Sequence, residues 1–117
     1  MRRIPLREIL IAEEHAQVYQ VWLERRVLNI AVAHIDFHCD TRGLMIDRLR
    51  GVAYMASRYE AGFVDDGNFL SHAVINGIVS SIRWVHDPHG GRRHDLGGCT
   101  VKYESDTTAS IHGLLHR

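Results

Sequence analysis

Leu28-Asn29-Ile30-Ala31-Val32-Ala33-His34-Ile35-Asp36-Phe37-His38-Cys39-Asp40 is the stretch on which the fold turns. It opens as an apolar run with the composition of a buried strand. His34, Asp36, His38 and Asp40 then follow at alternate positions. A strand has a side-chain period of two, so all four can start from one side of the backbone where the strand gives way to a loop. Carboxylates at the end of a buried strand need partners, and a bound cation is the simplest partner. A metal site is therefore the leading expectation.

Outward from this stretch, apolar runs alternate with helical patterns. Residues 8–12 read as a short strand ending at Glu13-Glu14-His15. From His15 to Arg26, Val18, Val21 and Trp22 fall at helical spacing, with Glu13 and Glu14 at the positive end of the helix dipole and Arg25 and Arg26 at the negative end. Residues 29–36 form the next strand, apolar enough to be covered on both faces as in a parallel sheet. A helix is expected over 44–58 and another over 68–78, where Gly77 marks the end. A strand over 81–86, closed by Asp87-Pro88, precedes a Gly-rich loop at 89–98 and a strand at 100–104, with no further strand toward Arg117. The alternation predicts a single α/β domain over 1–117, a mostly parallel sheet flanked by helices with right-handed crossovers.

Composition narrows the function classes. The chain has 117 residues, 45% hydrophobic and 24% charged, which suits one globular domain. Its formal net charge is zero, so global electrostatics favour neither a nucleic-acid nor a membrane partner. Nine histidines raise the prospect of metal chemistry. Cys39 and Cys99 form no CxxC pair and read as free thiols of a reducing compartment, with a single disulfide left open. Pro5, Arg7 and Glu8 interrupt any signal-peptide core, and no apolar run reaches membrane-spanning length, so a soluble cytoplasmic protein is expected.

In open α/β sheets, ligands bind beyond the carboxyl ends of the strands. His15 follows one strand end, and Asp36, His38 and Asp40 follow another, so neighbouring strands would bring the four to one rim. Imidazole and carboxylate donors together suit Mn²⁺, Fe²⁺ or Zn²⁺, and two aspartates flanking a histidine can bridge a metal pair that supplies hydroxide near neutral pH. Other clusters read more simply. His86-Asp87-Pro88-His89, His94 and Asp95 suit solvated turns; Gly90-Gly91 and Gly97-Gly98 lack phosphate-loop spacing; Arg92-Arg93 is too short a run for nucleic acid. Trp22 and Trp84 are expected to fill the core, and Asp47-Arg48-Leu49-Arg50 to form a solvated face.

Asp36-Phe37-His38-Cys39-Asp40 after a buried strand resembles the Asp-x-His-x-Asp metal signature of the ureohydrolases, and His15 occupies the place of their metal-binding histidine at the head of the preceding helix. Glu13-Glu14-His15, Trp22, His34-Ile35-Asp36-Phe37-His38 and the region from Asn68-Phe69-Leu70 to Trp84-Val85 are similar to the peptide arginase family, over most of the chain. The resemblance implies an arginase-like fold and a binuclear manganese hydrolase. Its substrate would be an arginine-containing peptide, converted to ornithine with release of urea by hydroxide attack on the guanidinium carbon. It further implies that His15, Asp36, His38 and Asp40 are metal ligands and that His34 packs behind or supports the site.

One departure matters. Ureohydrolases complete the binuclear site with a later Asp-x-Asp pair, and Asp65, Asp66, Asp87, Asp95 and Asp106 never fall two apart. The chain therefore reads as the amino-terminal portion of a longer protein or a truncated relative, with two Mn²⁺ ions if the site is complete and one if it is not. The alternatives are a single-metal hydrolase using His15, Asp36 and His38 with Asp40 behind them, and a non-catalytic interaction domain exposing apolar surface and sheet edges. Homo-oligomerisation stays open.

Overall fold

The computed structural model describes residues 11–36, 38–47 and 49–85, together with strands at 100–103 and 108–112. In chain order these are α1 (His15–Glu24), β1 (Ile30–Ile35), β2 (Leu44–Asp47), β3 (Val52–Met55), α2 (Arg58–Ala61), α3 (Phe69–Ile75), β4 (Val79–Val85), β5 (Thr100–Tyr103) and β6 (Thr108–His112). Four strands form one sheet in the order β1-β4-β6-β5, and β2 and β3 form a separate hairpin. The expected strand over residues 8–12 lies largely outside the described residues, as do the turn clusters at 86–98 and Cys99. Among the described residues, no helix is long and apolar enough to cross a membrane.

The α/β class holds, but the sheet is mixed rather than mostly parallel. β1 and β4 pair in parallel, whereas β4–β6 and β5–β6 are antiparallel. The reason is β6, a strand where none was expected: it lies between β4 and β5 and reverses the chain direction.

One face of this sheet carries the core. In β1, Ile30, Val32 and His34 turn inward and Ala31, Ala33 and Ile35 outward, an alternation that makes the strand half-buried rather than covered on both faces. Across the parallel pairing, Val32 sits beside Ile82 and His34 beside Trp84. Against that inward face pack Tyr19 of α1 and Phe69, Leu70, Ala73 and Val74 of α3, with Val18 and Trp22 at the margin. Trp84 is wholly buried, as its apolar setting in the sequence leads one to expect.

The helix expected over 44–58 is instead the β2–β3 hairpin. Asp47 Oδ1 accepts the Leu49 and Arg50 N–H groups, and Gly51, at φ +66°, donates its N–H to the Asp47 carbonyl. That local turn chemistry outcompetes the helical ladder. Leu44 is buried while Leu49 at the tip is fully exposed. The helix expected over 68–78 is shorter. It stops at Ile75 because Gly77, at φ +74°, lets its own N–H reach the Val74 carbonyl and that of Ile78 the Ala73 carbonyl, the two bonds of a Schellman termination.

Candidate metal centre

Where β1 ends, the Asp36 N–H still donates to the carbonyl of Val85, the last residue of β4. Trp84 Nε1 donates to the Asp36 carbonyl at 3.0 Å, so a buried indole pins the backbone that carries this carboxylate. Asp36 continues the inward register of Val32 and His34 and points its side chain toward α1. The following residues turn sharply: Asp40 takes the left-handed conformation, φ +59°, and its carbonyl accepts the N–H of Leu70 at the head of α3. A non-glycine residue held there is strained by about 1 kcal/mol, and strain of this kind is concentrated at functional sites.

Among the described residues Asp40 is the most enclosed acidic group, its side chain only 5% exposed. Its Oδ2 lies 2.8 Å from His15 Nδ1 and 3.0 Å from His34 Nε2; Asp36 Oδ2 lies 3.5 and 3.6 Å from the same two nitrogens. Carboxylate and carbonyl oxygens only accept, which sets the imidazole tautomers. His34 Nε2 faces both carboxylates and also the His38 carbonyl at 3.1 Å, so that nitrogen carries the proton and donates. His15 Nδ1 carries the proton toward Asp40. Phe69 packs against both rings, with centroids 5.5 Å from His15 and 5.9 Å from His34.

His15, Asp36 and Asp40 thus converge, each offering one ligand atom within 4.8 Å of the others. Donors at right or tetrahedral angles about a cation with bonds of about 2.1 Å stand about 3.0–3.4 Å apart. His15 Nδ1 is within a few tenths of an ångström of that range from both carboxylates, at 2.8 Å from Asp40 and 3.5 Å from Asp36, and the three ligand atoms all lie within 4.8 Å of one another. A divalent ion at Nδ1 would require His15 in the tautomer that carries its proton on Nε2. The residues present therefore fit one cation with a mixed nitrogen–oxygen donor set.

The structure treats the expected ligands unequally. His38 is exposed and stands outside the convergent trio, although it lines the same cleft. His34, expected to pack or support, reaches both carboxylates directly; its signal in the sequence was the two-residue spacing to Asp36, which puts both on the inward face. Cys39 is buried, and that burial pushes its thiol up despite the hydrogen bond donated by Thr41, so it stays protonated and is a poor ligand at neutral pH.

Two further charged residues of the cleft, Arg42 and Asp66, had no local signal in the sequence. The cleft, of about 580 Å³, is lined by His15, Asp36, His38, Cys39, Asp40, Arg42, Asp66 and Gly67. Arg42 is clamped by Glu60, with Nε–Oε2 2.7 Å and Nη2–Oε1 2.9 Å, and by Asp65 at 2.6 Å. These bonds raise the Arg42 pKa further and hold Glu60 below the usual carboxylate range. Asp65 is also lowered: partial burial pushes it up, and Arg42 with the Gly67 and Asn68 N–H groups outweighs that. Asp66 accepts the N–H of Ala16 in the first turn of α1.

No protein-family model, curated protein or solved structure matches the chain.

Proposed function

We propose that this chain binds a divalent cation through His15, Asp36 and Asp40 and is a metal-dependent hydrolase. The observation that carries this reading is the convergence of three ligand atoms from a helix start and a strand end, 25 residues apart for His15 and Asp40. A cation held there supplies Lewis acidity and brings the pKa of a coordinated water toward neutrality. The chain's own part is to hold Asp36 by Trp84, to orient Asp40 by His34, and to present His15 Nδ1, whose lone pair would face the cation in the tautomer protonated on Nε2.

Manganese is the metal we propose and His38 a fourth ligand, on the strength of the motif's resemblance to the ureohydrolases. The substrate we propose is the arginine side chain of a peptide: water adds to the guanidinium carbon, the bond to Nε breaks, and that nitrogen takes a proton to leave ornithine and urea. The charge of the cleft supports a cationic substrate only through Asp66: a divalent ion cancels Asp36 and Asp40, and Arg42 is already matched by Glu60 and Asp65. A reducing compartment suits the buried free thiol of Cys39, and the cytoplasm is the location we propose.

The test is urea release from arginine-containing peptides with added Mn²⁺, together with mass spectrometry for peptidyl ornithine. The reading expects both products from the wild type and neither from Asp36→Ala. Absence of both at saturating Mn²⁺ would overturn it in favour of a second reading, a non-catalytic interaction domain. One observation favours that alternative: the outward face of β1 ends in Ile35, 79% exposed.

A further inference from the structure

We infer that Asp66 is a positioning residue that sets His15 for metal binding, an inference that rests on the reading of His15, Asp36 and Asp40 as the metal site. His15 is the first residue of α1, and its side chain is 47% exposed. Its ring meets Phe69 on one side and the edge of His34 on another, so packing alone does not fix it. Its position depends on where α1 begins.

The helix secures part of that start itself, since Gln17 Oε1 accepts the Glu13 and Glu14 N–H groups. The amide of Ala16, the second residue of α1, is taken by Asp66 Oδ1 at 2.9 Å, from 50 residues further along the chain. A carboxylate there also complements the positive end of the helix dipole.

Asp66 can act as an anchor because its loop is fixed. Asp65 Oδ1 accepts the Gly67 and Asn68 N–H groups, and Asn68 Oδ1 accepts that of Asp65. The same loop grips the other ligand segment. Asp65 Oδ2 binds the Arg42 guanidinium, and the Gly67 carbonyl accepts the Arg42 N–H, two residues beyond Asp40. Gly67 approaches Arg42 so closely that a Cβ would stand 2.5 Å from Nη1. One short loop therefore spans the two parts of the chain that supply ligands, and Asp66 is its attachment to α1.

The experiment is Mn²⁺ affinity by electron paramagnetic resonance, with melting temperature in parallel, for wild type, Asp66→Ala, Asp66→Asn, His15→Ala and the double variant His15→Ala/Asp66→Ala. Removing an outer partner of a ligand weakens binding by about ten-fold or more, and that loss is expected for Asp66→Ala. Asp66→Asn keeps the Oδ1 acceptor and should stay within about three-fold of wild type; being isosteric, it tests the inference even where the alanine variant folds poorly. In the His15→Ala background the Asp66→Ala change should cost no further affinity, while its fall in melting temperature, about 4 °C, persists. Wild-type affinity in Asp66→Ala, or an equal further loss in the His15→Ala background, overturns the inference and leaves the metal site standing. A wild-type chain that binds no Mn²⁺ overturns the site and the inference together.

Discussion

Replacing Arg42 by alanine removes two hydrogen bonds to Glu60, at 2.7 and 2.9 Å, and one to Asp65 at 2.6 Å. The Glu60 side chain is only 11% exposed, and the Asn68 amide at 3.3 Å is a weaker substitute for the guanidinium. Breaking a buried ion pair costs about 3–5 kcal/mol and breaking a surface pair about 0–1 kcal/mol. Arg42 is itself 49% exposed, so water reaches the gap and the cost falls between these limits, about 2 kcal/mol. For a chain of this length that is about 8 °C in melting temperature. The pH dependence gives a second readout. Glu60 is held below its ordinary value by Arg42, so its contribution is fully present above about pH 4.3 and is lost as the pH falls through the lowered folded value. Wild type should lose stability in that acid window more steeply than Arg42→Ala, and the two melting curves should draw together. Thermal unfolding followed by circular dichroism from neutral pH to about pH 3 measures both effects. An Arg42→Ala chain that melts within about 2 °C of wild type at neutral pH, or keeps the same acid slope, would refute the argument.

Two other perturbations follow from the same geometry. Gly43→Ala places a Cβ 2.9 Å from Glu60 Cγ and Oε2 at φ +78°, and should cost about 2–3 kcal/mol in a denaturant melt. Gly51→Ala, at φ +66° with nothing within 4 Å, should cost only about 1 kcal/mol, so equal losses would show that the contact with Glu60 is immaterial. His34→Ala removes the donor that faces Asp40 and the His38 carbonyl and should weaken Mn²⁺ binding about ten-fold in a calorimetric titration, whereas unchanged affinity would mean that His34 only fills space.

Local pattern explains what could be read from the chain. Helical spacing of Val18, Val21 and Trp22 locates α1, and the apolar run before His34 locates β1 but not the exposure of its second face. The hairpin is legible in principle, because Asp47 four residues before Gly51 is turn chemistry, but Leu44-Met45-Ile46 suits helix and strand alike, so the apolar run does not separate the two. β6 offered no apolar run: Thr108-Ala109-Ser110-Ile111-His112 becomes a strand by pairing with β4 and β5 on either side. Placing it there also decides the mixed topology, which no local window contains. Within the site, the period-two series points to Asp36 and Asp40, but β1 ends at Ile35, so the alternation no longer holds at His38, which lies outside the trio. The clamp of Glu60 and Asp65 on Arg42, and the anchor of Asp66 on α1, join segments 18 to 50 residues apart. They depend on the fold rather than on any motif.

The central claim is tested most directly by titrating the metal-free chain with Mn²⁺ in a calorimeter, in wild type and Asp36→Ala. Saturable binding to the wild type, and loss of that binding in a folded Asp36→Ala chain, are the expected results. Equal Mn²⁺ affinity in the two chains, or no saturable binding in the wild type, would contradict it.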